Sequence, residues 1–438
     1  MRPTKKAVIV CLVLFLSGLG ACFYNPLKAI VLVLISCIAG ILISDFLLCL
    51  FKRNHLRLKR QYQTRYALGE DTVVSATITN RGKSQQTFLF YDGISDHCKH
   101  EGFPHKQKLK AGEFATISAT LTFQKRGDLV ISQGFVELAS PLGFWWKSKR
   151  VGEELSIKVF PNYMPALNYG LLATANRLEQ MGIVKKKQRG VSKEFHQLRD
   201  YQDGDSLNLI DWKASSRMNR VISREFQEER DQNILLVADC SMRTKAFDQD
   251  LPILDHLLNA MILISSMALK QGDKVSVMNF GTRDEDTRLL QPVKGNTGMT
   301  QILNHLYNYE SKNSYGEYTT LAKSILSQSR KRSLVVILTN LRSEDQYGCV
   351  EALKLISQKH RVLLASVQES SVQEVLSTPI YTQSEADLYI GAAAYENDAG
   401  KVVKSLSDQG IAVMRSSIDT FGVDLANRYL DLRATISG

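Results

Sequence analysis

Hydrophobic and polar positions follow three successive rhythms along the chain. In the first, residues 7–23 form an uncharged run. The break Tyr24-Asn25-Pro26-Leu27-Lys28 follows, and then residues 29–51, which carry only Asp45 as a charge. The first run sits at the short end of what spans a hydrocarbon core of ~30 Å, and the second is comfortably long enough. Two apolar helices of about 7–23 and 29–51 with so short a connection predict a transmembrane hairpin. A signal peptide is the rival reading of the first run, but the second run so soon after it argues against cleavage.

The second rhythm is alternation. Residues 72–79, 85–91, 114–123, 128–136 and 155–160 are rich in Thr, Val, Ile and Phe, and Asn80-Arg81-Gly82, Lys110-Ala111-Gly112 and Arg126-Gly127 punctuate them. That spacing predicts a small antiparallel β-sandwich over 54–162. A connector and a charged, aromatic block fill 163–232, with a helix expected near 171–181 and a basic run at Lys185–Arg189. From 233 the period alternates between strand and helix. Apolar strands are expected at 234–239, 275–280, 334–340, 362–367 and 411–414, with helices at 251–271, 298–309, 321–329, 350–359, 398–409 and 421–432. This predicts a doubly wound, Rossmann-type sheet covered on both faces over 233–438. The fold class is therefore α/β with an additional all-β domain and a two-helix membrane hairpin.

Charge changes the picture at the hairpin. The net charge is +11, and Arg2, Lys5, Lys6 and then Lys52, Arg53, Arg57, Lys59 and Arg60 flank the two runs, against Lys28 alone in the connection. Both ends are expected on the cytoplasmic side of the membrane, beside anionic lipid, with no nucleic-acid partner. Asp45 lies near the cytoplasmic end of its run, an interfacial or packing residue rather than an intramembrane functional carboxylate. The seven cysteines include no CxxC, which argues against a disulfide framework or a zinc site. His97, Cys98, His100 and His105 are expected in a solvated loop. Pro141-Leu142-Gly143-Phe144-Trp145-Trp146 reads as an aromatic turn used for packing or for a partner. No glycine-rich phosphate loop follows any strand, so nucleotide binding has no support.

The chemistry-bearing candidates converge on two places. Asp239-Cys240-Ser241 ends the first α/β strand, at the carboxyl edge where open sheets bind ligands. Upstream, Asp203, Asp205 and Asp211 are open to two readings. They could join Asp239 as carboxylates of a metal-dependent hydrolase. Alternatively they could be structural, with Asp203-Gly204-Asp205 a tight turn, Asp211 paired to a nearby Arg or Lys, and Trp212 packed on the sheet.

The block Glu194 to Asp205, with Ile210-Asp211-Trp212-Lys213-Ala214 and Arg224-Glu225-Phe226, resembles the signature of a bacterial membrane-anchored family known as domain of unknown function 58, DUF58. Gly69-Glu70, Arg126-Gly127, Ser140 to Gly143, Val159-Phe160-Pro161 and Tyr429 to Leu432 extend the resemblance over most of the chain. It implies a von Willebrand factor A-like domain and a non-enzymatic scaffold or adaptor, often accompanied by MoxR-type AAA+ ATPases. Arg199, Tyr201, Asp205, Asp211, Trp212 and Arg224 would then be partner-binding. A-like domains hold a divalent cation such as Mg²⁺ through a DxSxS loop, a threonine and a later aspartate. Here Asp239, Ser241 and Thr319 match that set, whereas Arg243 replaces the second serine and Asn340 the aspartate. The implied ion site is degenerate, with Arg243 placed to pair with Asp239.

Overall fold

A computed structural model describes residues 1–23, 28–51, 55–165, 194–202, 205, 207–227, 232–283, 286–329 and 331–436. The expected connector helix at 171–181, the basic run Lys185–Arg189 and Asp203 lie outside the described residues. The chain divides into two compact units, Met1–Phe160 and Pro161–Gly438.

The first unit begins with a two-residue strand, β1 (Arg2–Pro3), before helices α1 (Lys5–Phe23) and α2 (Lys28–Phe51). The apolar stretch Ala29–Phe51 has a mean hydropathy of 2.7 and only 11% of it is buried, as expected of a segment meeting lipid. A four-stranded antiparallel sheet follows, ordered β2 (Leu56–Gln61), β4 (Asp71–Asn80), β8 (Phe114–Phe123), β6 (Cys98–Glu101). The other sheet is built around the long strand β9 (Gly127–Ala139). One half of β9 pairs with β11 (Leu155–Phe160), and the other lies between β5 (Gln86–Gly93) and β10 (Trp145–Val151). β7 (His105–Leu109) extends β5, β1 extends β10, and β3 (Arg65–Ala67) pairs with β11 in parallel. Alternate residues of facing strands, among them Ala76, Ile78, Phe88, Phe90, Ile117, Val136 and Leu138, make the core.

Two expectations are corrected in this unit. The histidine and cysteine cluster is not one loop, because Cys98 and His100 lie on β6 and His105 opens β7. Arg57, Lys59 and Arg60, read as flanking charges, belong to β2, whose Leu56 is buried. Arg60 also forms a buried ion pair with Asp92, which Tyr62 hydrogen-bonds as well.

In the second unit, β12 (Glu194–Asp200) and β13 (Ile222–Gln227) form an antiparallel ribbon that carries a short helix, α3 (Trp212–Met218). The main sheet has six strands. They are β14 (Asn233–Asp239), β17 (Lys274–Phe280), β18 (Leu289–Val293), β19 (Leu334–Thr339), β20 (Arg361–Gln368) and β21 (Ala412–Ser417), in the order β18-β17-β14-β19-β20-β21. All pairings are parallel except that of β18. A small ribbon, β15 (Phe247–Asp248) with β16 (Leu251–Pro252), leads into helix α4 (Ile253–Lys270).

Successive residues of β14 point to opposite faces, so Ile234, Leu236 and Ala238 join one core and Leu235 and Val237 the other. Helices α4, α5 (Gly295–Leu306) and α10 (Phe421–Ile436) cover the first face. Helices α6 (Tyr318–Gln328), α7 (Gln346–Ser357) and α9 (Gln383–Asp408) cover the second, and α8 (Ser370–Ser377) follows β20. Helix α4 is long and apolar enough to cross a membrane, yet 83% of it is buried, which makes it a core helix. Helix α9 begins well before the expected 398, at a capping box between Thr382 and Glu385.

Candidate functional site

Strands β14 and β19 end side by side, and this places Asp239 against Thr339. The Asp239 carboxylate is fully buried; it accepts a hydrogen bond from the Ser241 amide at 2.9 Å and one from the Thr339 hydroxyl at 2.6 Å. Ser241 opens a turn of 3₁₀ helix, Met242–Thr244, and this turn folds Arg243 back over the strand end.

The guanidinium of Arg243 is only 3% exposed and fills the edge. Its Nε donates to Asp345 at 2.8 Å and Nη2 donates to the other oxygen of that carboxylate, a bidentate pair. Nη1 donates to Ser241 Oγ at 3.1 Å and lies 3.6 Å from Asp239, while Nη2 also donates to the Gly316 carbonyl at 3.0 Å. The rings of Tyr318 and Tyr315 lie 5.1 and 5.5 Å from the guanidinium carbon. Two glycines leave the space it needs. A Cβ on Gly281, whose φ is +79°, would come within 2.6 Å of Ser241 Cβ, and one on Gly316 would come within 3.1 Å of Arg243 Nη1.

Burial pushes the Asp239 carboxyl above the ordinary range, against the opposing pull of Arg243, Ser241 and Thr339. Burial also works against the charge on Arg243, but the hydrogen bonds it donates to Asp345 and the nearby carboxylates outweigh it and raise its pKa.

These residues do not fit a divalent ion in this arrangement. A hard cation needs several free oxygen donors, whereas Ser241 Oγ and the Asp345 carboxylate are taken by the guanidinium. Asn340 directs its amide N–H groups to the Arg243 carbonyl and to Glu369. Thr319 is exposed in the first turn of α6, whereas Tyr315, the Gly316 carbonyl and Tyr318 of that segment reach the cluster, the Tyr318 hydroxyl 3.3 Å from Thr339 Oγ1. Asp345, a hundred residues from Asp239, is the member that local sequence pattern did not suggest. The one signal was a carboxylate five positions past Asn340, at the end of an apolar strand.

The second candidate place is the β12–α3–β13 module. Arg199 pairs with Asp205 at 2.8 Å, Gln202 N–H donates to Asp205 Oδ2, and the Tyr201 hydroxyl donates to the Asp205 carbonyl. The Arg199 hydrogen bond, aided by the Gln202 amide, holds the Asp205 carboxyl below the usual range. Asp211 caps α3 by accepting from the amides of Lys213 and Ala214, and its other oxygen lies 3.7 Å from Arg224. Trp212 does not pack on the sheet; it is 70% exposed, as is Leu207, with Met218, Val221 and Leu198 also exposed. The first turn of α3 follows its cap outward, so the ring of Trp212 stands in solvent. Among the described residues, Asp205, Asp211 and Asp239 share no partner. Among the described residues no group of three or more His, Cys, Asp or Glu side chains gathers as a metal site.

Fold and site together define a class: a chain with a long, exposed apolar helix near its start, a unit of two antiparallel-strand sheets, and an α/β unit whose strand edge is occupied by its own arginine. Residues 197–378 match the model of the family described as "Protein of unknown function DUF58", the resemblance carried by the signature block. "Uncharacterized protein YeaD" of Bacillus subtilis is 25% identical over 109 residues, about a quarter of this chain and a quarter of that protein. Among solved structures, the SpRpn10 VWA domain overlaps 46% of this chain and 95% of its own at 11% identity, with a TM-score of 0.28. Proximal thread matrix protein 1 from the mussel byssus overlaps 47% of this chain and 46% of its own at 12% identity and 0.29. The PapD-like domain of human CEP192 covers 25% of this chain and 89% of its own, at 12% identity and 0.18.

Proposed function

We propose that the chain is a membrane-anchored adaptor that binds a protein partner through its α/β unit and the signature module. In line with the family resemblance, that partner is an AAA+ ATPase of the MoxR type. The observation that carries this reading is the signature module itself. Arg199–Asp205 and Asp211–Arg224 brace a small frame from which Leu207 and Trp212 project into solvent. Exposed aromatic and apolar side chains on an ion-paired frame are the usual anatomy of a binding hot spot. The closed, arginine-filled strand edge supports recognition by direct side-chain contact rather than through a bridging metal.

On this reading the hairpin lies in the inner membrane with both ends cytoplasmic. The test is co-purification from gently solubilised membranes, comparing the wild type with Trp212→Ala. An AAA+ ATPase recovered with the wild type and depleted at least about tenfold with the variant, the loss of one good hot spot, is the expected result. Recovery of no ATPase, or equal recovery with both proteins, refutes it.

A further inference from the structure

The hairpin and the sandwich of the first unit share a polar joint. Asp45 is fully buried although it lies inside an apolar helix. Its carboxylate accepts from Ser140 Oγ at 2.6 Å, from the Leu142 amide at 3.0 Å and from the Phe144 amide at 3.3 Å. Trp145 Nε1 donates to the Leu42 carbonyl at 3.1 Å, and the Trp145 ring meets Phe46 edge-on at 5.2 Å. The start of α1 grips the same turn, since Thr4 N–H donates to the Phe144 carbonyl and Thr4 Oγ1 to that of Gly143. Leu42, Asp45 and Cys49, one face of α2, are buried, whereas Leu47, Leu48, Leu50 and Phe51 are exposed.

The Asp45 carboxylate therefore lies six residues, about 9 Å of helix, short of the end of α2, where Lys147 Nζ donates to the Leu50 carbonyl. If the bilayer stopped at Asp45, the exposed Leu47, Leu48, Leu50 and Phe51 would stand in water. Each large side chain left exposed forgoes about 1.5–3 kcal/mol of transfer free energy, and the remaining span would be short for a ~30 Å core. If the bilayer instead reaches Phe51, the turn 140–146 lies within it. Its carboxylate is already satisfied, and its Leu142 is 55% exposed. The exposed Lys5, Lys6 and Lys149 then stand where lipid phosphates would be.

The geometry points to the Ser140–Trp146 turn as a lipid-embedded element, seated at the boundary between headgroups and acyl chains of an anionic bilayer. It lies against the start of α1, where Thr4 donates to it. This rests on the membrane reading, so the test begins there. The full chain carrying Trp212→Phe, in which Trp145 and Trp146 are the remaining tryptophans, is reconstituted into phosphatidylcholine–phosphatidylglycerol vesicles and floated. Failure to float overturns the membrane reading itself. For floated protein, lipids brominated near the headgroup end of the acyl chain should quench the tryptophan emission more than lipids brominated near the chain terminus, as for a ring in the aromatic belt. Leu142→Trp in the same background should add blue-shifted, equally quenched emission. Emission that floats with the vesicles but escapes quenching in both proteins overturns the embedded turn and leaves the anchor intact.

Discussion

Arg243 is held by two carboxylates, a hydroxyl, a carbonyl and two aromatic rings, more than a surface arginine gathers. Replacing it strands Asp345 and Asp239 in a dry site. Removing one partner of a buried pair costs about 3–5 kcal/mol, so Arg243→Ser should lower the melting temperature markedly. The same substitution frees Ser241 Oγ and the Asp345 carboxylate, so millimolar Mg²⁺ should raise the melting temperature of the variant and leave the wild type unmoved. Equal responses in the two proteins would show that the guanidinium does not hold the site. Asp239 gives a pH test. Its folded pKa is raised, so the folded form holds the proton more tightly than the unfolded chain does. The cost of ionising it grows as pH climbs from the unfolded value of about 3.9 and levels off above the folded one. The stability of the wild type relative to Asp239→Asn should therefore fall across that window and stay constant beyond it. A gap that widens in favour of the wild type would reverse the sign. Sequence alone could align Asp239, Ser241 and Arg243, because they lie in one loop. It could not supply Asp345, which the parallel β14–β19 pairing brings from a distant turn.

At the scale of elements, α3 spans only Trp212–Met218 and is too short to hold together by itself. Asp211 satisfies two of its amide donors, and Ser215 ties it to β13 by accepting from Ile222 N–H at 2.9 Å. Asp211→Ala should cost about 1 kcal/mol, the usual loss of a helix cap, and amide exchange at Lys213 and Ala214 should speed up while that of β14 stays slow. Unchanged exchange at those two amides would mean that the cap does not matter. Elements with a clean period were legible, and the burial of β4 alternates along its length as the Thr-Val pattern requires. Those that hid were strands whose solvent face is charged. In β2 the sequence Leu56-Arg57-Leu58-Lys59-Arg60 offers two apolar positions among three cations, and the cations resemble a membrane flank. Trp212 misled in the opposite sense, because an aromatic after a buried isoleucine reads as core, whereas the helix cap turns it outward.

Each unit of the whole molecule has its own core, built from different residues and closed by a different buried carboxylate. Separate cores predict separate cooperative transitions. Asp45 closes the first unit, and truncating it leaves three donors of the 140–144 turn without an acceptor in a place water cannot readily reach. Each orphaned donor costs about 1–3 kcal/mol, so Asp45→Ala should shift the transition that carries the sandwich and leave the α/β transition where it was. Arg243→Ser should do the reverse. Combined, the two changes should add within about 0.5 kcal/mol, as substitutions with no shared partner do. Differential scanning of the detergent-solubilised chain, with the three variants side by side, reads all of this at once. A single transition that both substitutions move together would mean that the two units do not unfold independently.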